Sequence, residues 1–195
     1  MDTQRQTVKP PTARTFGGGA VAGIVAGAAM GIFAMVAGAT YLDSGFFTPL
    51  YHIASTFIEP TAMETSMQRA MNGDLFYFSA GPAILGLAVH MMVAVLFGLI
   101  FASIARAARL RSGVAPAVGV IYGIAVFAVM SLVVLPAIAD VFGGGRAISE
   151  MPEMVGYGTF AVEHALFGLV LGLWPLTRPQ DVVSRPIRVG RESMA

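Results

Sequence analysis

The chain contains no cysteine, which excludes disulfides, thiolate metal sites, iron–sulfur clusters and cysteine nucleophiles. Charge is nearly as scarce. Only 12% of the 195 residues are Asp, Glu, Lys or Arg, against 56% hydrophobic, too apolar a balance for a soluble domain with an ordinary charged surface. A net charge of +1, without a basic stripe, argues against nucleic acid as a partner. Also missing are the phosphate loop GxxxxGK(S/T), a dinucleotide fingerprint between strand and helix, HExxH and GxSxG. Gly143-Gly144-Gly145 reads as a loop without the helix a phosphate site needs. A non-enzymatic protein is therefore expected.

Long apolar runs are what the sequence has instead. Four segments reach the roughly 20 apolar residues needed to cross a hydrocarbon core, at about 16–42, 80–105, 114–139 and 154–176. Ala37-Gly38-Ala39 imitates a signal cleavage site, but the apolar stretch before it is longer than the roughly 7 to 15 residues of a signal core, so the first segment is expected to stay as a span. Ten of the twelve basic residues fall in three places: Arg5, Lys9 and Arg14; Arg106, Arg109 and Arg111; Arg178, Arg185, Arg188 and Arg191. Four spans put all three on one side, which the positive-inside bias makes cytoplasmic. The expected fold is all-α, a four-transmembrane-helix bundle with both termini cytoplasmic. Flexible basic tails occupy 1–15 and 177–195, and an outer loop covers 43–79.

Small residues suggest how the spans pack. Gly19, Gly23, Gly27 and Gly31 recur every four residues, and Ala115, Gly119 and Gly123 repeat the step, a glycine-zipper pattern that lets backbones approach closely. An offset of 92 residues places Gly27 and Gly31-Ile32 on Gly119 and Gly123-Ile124. One of 74 places His90, Ala94 and Gly98 on His164, Gly168 and Gly172. Two tandem helical hairpins are expected, related by an axis along the membrane normal. The glycine faces serve helix contacts within the bundle, or a homo-oligomer or other membrane partner.

The outer loop reads as two short amphipathic helices. One covers Pro49 to Ile58; the second is headed by Thr61 in a capping box with Glu64 and ends at Asn72-Gly73. Met63, Met67 and Met71 lie on one stripe of the second. Thioethers are soft ligands suited to Cu(I), so this stripe with His52 is a candidate soft-metal site. Methionine is equally a flexible apolar filler, and His52 beside Tyr51 equally an interfacial residue.

His90 and His164 are the most informative residues, because ionisable groups inside a membrane are costly and usually face a cavity or a functional path. His90 precedes Arg106 by 16 residues and His164 precedes Arg178 by 14. At 1.5 Å per residue both lie about 21 to 24 Å from the cytoplasmic boundary, in one outer layer. Each heads a small-residue stripe, His90 with Ala94 and Gly98, His164 with Gly168 and Gly172, so both are expected to point into the bundle with Glu163 about 100° round the helix. Proton-responsive imidazoles, axial ligation of a haem b, a divalent metal held with Glu163, and plain packing hydrogen bonds all fit this layer. With the histidines as ligands the chain would be a membrane redox component, and the tandem repeat alone favours a third reading, a small dimeric transporter.

The run HMMVAVLFGLIFA, the basic turn RAARLRSG, then GVIYGIAVFAVMSLVVLP and FAVEHALFGLVLGLW resemble the YagU-like inner-membrane proteins over roughly residues 90–178. That resemblance implies a bacterial inner-membrane location and a link to acid tolerance, with no established chemistry.

Overall fold

The computed structural model describes residues 13–174, with side chains from Phe16 onward; residues 1–12 and 175–195, with Arg5, Lys9 and Arg178, lie outside the described residues, and 13–15, expected as tail, already belong to the first helix. The protein is all-helical over that range. It comprises α1 (Ala13–Thr40), α2 (Thr48–Ala54), α3 (Thr61–Met71), α4 (Ala80–Ala107), α5 (Ala115–Val129), α6 (Leu135–Phe142), α7 (Gly145–Ser149), α8 (Met151–Val155) and α9 (Tyr157–Leu173). A π-helical turn, Met130–Val134, joins α5 to α6.

Three stretches are long and apolar enough to cross a membrane: Phe16–Thr40, Ala80–Ala107 and Ala115–Phe142. The chain is thus a multi-pass membrane protein by the length and composition of its helices. Helix α9 is equally apolar but has 17 residues. It begins three residues later than the sequence suggests because Gly156, at φ +84°, breaks the backbone between α8 and α9. The outward faces carry large apolar side chains, among them Ile84, Met92, Ile121 and Leu132, each more than 60% exposed, a surface suited to lipid rather than water.

Packing follows the small residues. Helix α1 lies along α4, α5 along α9, and α1 also meets α9, whereas α4 and α5 scarcely touch. A Cβ on Gly23 would stand 2.5 Å from the Ala94 carbonyl oxygen, and one on Gly98 2.6 Å from that of Gly19. In the second pair, side chains on Gly119 and Gly168 would each overlap the other's carbonyl, and one on Gly123 would overlap that of His164. Both glycine stripes therefore face another helix of the same chain.

The π-turn has a local cause. Pro136 offers no N–H to the carbonyl one helical turn back, and the Leu135 N–H reaches five residues back to Met130 instead. The loop helices fold over one end of the bundle, where a side chain on Gly86 of α4 would overlap the Leu50 carbonyl of α2. Two sequence expectations are corrected here. Helix α2 stops at Ala54, short of Ile58. Thr61 heads no capping box, because Pro60 already occupies the cap position, its carbonyl accepting the Glu64 N–H at 3.0 Å, and proline's fixed φ starts the helix one residue early.

Candidate functional site

His90 and His164 come together as their stripes suggest. On α4, His90 donates its Nε2–H to the Gly27 carbonyl of α1 at 2.9 Å. The glycine positions make room for the ring: a Cβ on Gly31 would be 3.4 Å from that nitrogen. On α9, His164 donates its Nδ1–H to the Phe160 carbonyl one turn back at 2.8 Å. Its ring lies edge to face with Phe160, centroids 4.5 Å apart, and 6.0 Å from Phe127. A carbonyl only accepts, so each bonded nitrogen carries the proton and the other nitrogen of each neutral ring, Nδ1 of His90 and Nε2 of His164, is an acceptor. Among the described residues those two acceptors have no hydrogen-bond partner.

Both imidazoles line one cavity of about 140 Å³. Its other walls are almost wholly apolar, with Phe97, Phe160 and Phe167 among them. It sits where α4 and α5 part. The gap is closed at one end by the Tyr122 hydroxyl, which donates to the Phe97 carbonyl at 2.8 Å, and at the other by Phe57 edge to face with Phe142, 5.1 Å between centroids. Between these closures Val89, Val93 and Met130 are partly exposed along the rim.

Glu163 takes the other side of α9. It is 4% exposed and borders a second cavity of about 140 Å³ with His90, His52 and Thr48. No described residue gives its carboxylate a hydrogen bond or an ion pair. His90 thus borders both cavities, while the adjacent pair Glu163 and His164 divides between them, as the 100° step requires. Among the described residues no three His, Asp or Glu side chains form a group that could hold a metal ion. The cavity shared by the imidazoles is close in volume to an engineered apolar cavity of about 150 Å³ that takes up benzene, the scale of one ring rather than of a tetrapyrrole.

The loop residues are more deeply used than spacing suggests. His52 is 5% exposed and bonds the Ala147 carbonyl of α7 at 2.5 Å, fastening α2 to a helix 95 residues away. Burial pushes its imidazole below the ordinary value, and the bond to Ala147 works against that. Tyr51 donates to the Tyr77 carbonyl at 3.0 Å and accepts the Ser79 N–H at 2.8 Å; burial raises its phenol. Thr48 donates to the Ser44 carbonyl and meets the Ser66 hydroxyl at 2.8 Å. The methionine stripe is split: Met63 is buried, Met67 borders the second cavity and Met71 is 80% exposed. Spacing alone does not reveal Tyr122 or the aromatic walls, although a tyrosine inside an apolar run signals an inward hydroxyl in search of a partner. No family model, curated protein sequence or solved structure matches the chain.

Proposed function

We propose that the chain is a non-enzymatic four-span protein of the bacterial inner membrane, both termini cytoplasmic, in which His90, His164 and Glu163 form a proton-responsive layer. In this reading α9, with its 17 residues, is the fourth span, and the α1/α4 and α5/α9 pairs are two parallel hairpins. Its length is at the lower limit for spanning. Tyr41, Phe76, Phe78 and Tyr157, all more than half exposed, gather at the loop end, where interfacial aromatics belong. Arg106, Arg109 and Arg111 are exposed at the opposite end of α4, which supports the cytoplasmic assignment. Self-association in this reading uses the outward apolar faces, since the glycine stripes are occupied within the chain.

The observation that carries the proton-responsive reading is the site itself. Three titratable side chains sit in an apolar bundle against two adjoining cavities, bonded to backbone carbonyls or to nothing, with no described cation beside the carboxylate. Of the other titratable groups on the surrounding elements, His52 on α2 borders the Glu163 cavity and Tyr122 on α5 bonds the Phe97 carbonyl beside the other, while Tyr51, Arg106, Asp140, Glu153 and Tyr157 line neither cavity. A proton added to either imidazole turns its free acceptor into a donor and places charge in the apolar interior, biasing the packing of α1, α4 and α9. The acid-tolerance link implied by the YagU-like resemblance agrees in kind.

The test is survival and internal pH under acid stress for cells carrying His90→Ala, His164→Ala or Glu163→Gln at matched membrane abundance. Loss of tolerance in the histidine variants is expected, and wild-type behaviour of both removes the proposal. An absorption spectrum with metal analysis of the purified protein accompanies it, because a coloured or metal-bearing sample would replace proton response by ligation.

A further inference from the structure

Four properties of the cavity between α4 and α5 act together. Its volume, about 140 Å³, matches a single six-membered ring. Its walls are apolar and aromatic, with Phe97, Phe160 and Phe167 suited to edge or offset stacking on such a ring. Its rim is partly exposed where α4 and α5 part, so a ring enters from the side and a substituent can trail out past Val93 and Met130. Its polar edge consists chiefly of two imidazoles whose protonated nitrogens are committed to the Gly27 and Phe160 carbonyls. What remains on each neutral ring is an acceptor, so the imidazole edge takes a hydrogen-bond donor; the Thr56 hydroxyl, the other polar group in the lining, stands apart on the turn after α2.

We infer that this cavity binds a lipid-soluble single-ring phenol, free or as a hydroquinone headgroup, with its hydroxyl donating to Nδ1 of His90 or Nε2 of His164. An oxidised quinone, which only accepts, leaves both imidazole acceptors unpaired. The site shares its histidines with the proposed proton response but does not depend on their titration, since binding is set at neutral pH by the uncharged rings. It rests on the membrane placement of the helices, which turns the open rim toward lipid.

The test uses the full chain in lipid nanodiscs at neutral pH, with uptake measured by equilibrium dialysis against empty nanodiscs. Four probes are compared: 4-methylphenol, its methyl ether 4-methylanisole, decylhydroquinone and the corresponding quinone. Saturable uptake of the phenol or the hydroquinone is expected, with the ether and the quinone at least tenfold weaker than their hydroxylated partners. Val93→Phe, which fills the rim and leaves both histidines in place, is expected to weaken uptake at least tenfold; Ile138→Phe, at a lining position on α6, substitutes if that variant does not fold. Uptake of the phenol alone assigns a free phenol as the source, and uptake of decylhydroquinone assigns a tailed headgroup. Equal binding of ether and phenol, indifference to the rim variants, or no saturable uptake overturns the inference. A failure here leaves the acid phenotype of the histidine variants untouched, so the two readings fall separately.

Discussion

Replacing Gly98 by alanine tests whether the α1/α4 seam is closed as described. The new methyl carbon would lie 2.6 Å from the Gly19 carbonyl oxygen and 2.6 Å from the Gly23 Cα, about 0.8 Å short of the 3.4 Å of ordinary contact. Both neighbours are backbone, so no rotamer change relieves the overlap and α1 must move off α4 along its length. Overpacking of this kind costs about 1–3 kcal/mol. Gly17→Ala is the control, since nothing lies within 4 Å of a Cβ there. Both variants gain the same helix propensity, up to about 1 kcal/mol, so their difference isolates the seam. For a chain of this size each kcal/mol shifts the melting temperature by about 2–4 °C. Gly98→Ala should therefore melt about 2–12 °C below Gly17→Ala, followed by circular dichroism in detergent. If the two variants melt together, the helices are not in backbone contact and the role assigned to the glycine stripe is wrong.

Further outcomes concern the loop. Tyr51→Phe removes the partner of the part-buried Tyr77 carbonyl and Ser79 N–H; losing such a hydrogen bond costs about 0.5–1.5 kcal/mol, read as faster amide exchange at residues 77–79, and unchanged exchange would refute the clamp. His52 is held below its ordinary value by burial, so from about pH 6.5 downward an opened loop binds a proton that the closed loop refuses. Closure is then fully favoured above that pH and weakens as pH falls, by up to about 1.4 kcal/mol per unit. Amide exchange across α7, corrected for intrinsic rates, should rise between pH 7.5 and 5.5 and stay flat in His52→Gln; the Arg146–Glu150 pair that spans α7 and its C-cap is solvent-accessible at both side chains.

Legibility in the sequence followed the range of the interaction. The apolar runs and the four-residue glycine steps are local, and they marked the long helices and their contact faces closely. The shared setting of His90 and His164 was legible because each heads a small-residue stripe, and such stripes pack inward. What spacing could not supply was the partner of each face: that Gly98 meets Gly19 whereas Gly119 meets Gly168 depends on which helices pair. The His52 bond to Ala147 spans 95 residues and has no local signal. Glu163 was read with the histidines because it adjoins His164, but the helical step that separates the two sends it to a different cavity. At Thr61 a sound capping pattern lost to the proline before it.

The wide turn at Met130–Val134 sets the phase of everything after it. Buried positions along this stretch run Ala115, Gly119, Gly123, Val126, then Ser131, Leu135 and Ala139, so the inward stripe advances by three or four residues except for one step of five, taken where the π-turn begins. That step resets the stripe toward the cluster of Ile148, Met151 and Phe160. Deleting one exposed residue there, such as Val133, would rotate the following helix by about 100°, carrying Leu135 and Ala139 out of the core and Phe142 away from Phe57. A single residue thus keeps two differently facing half-helices in step, and with them the upper closure of the cavity.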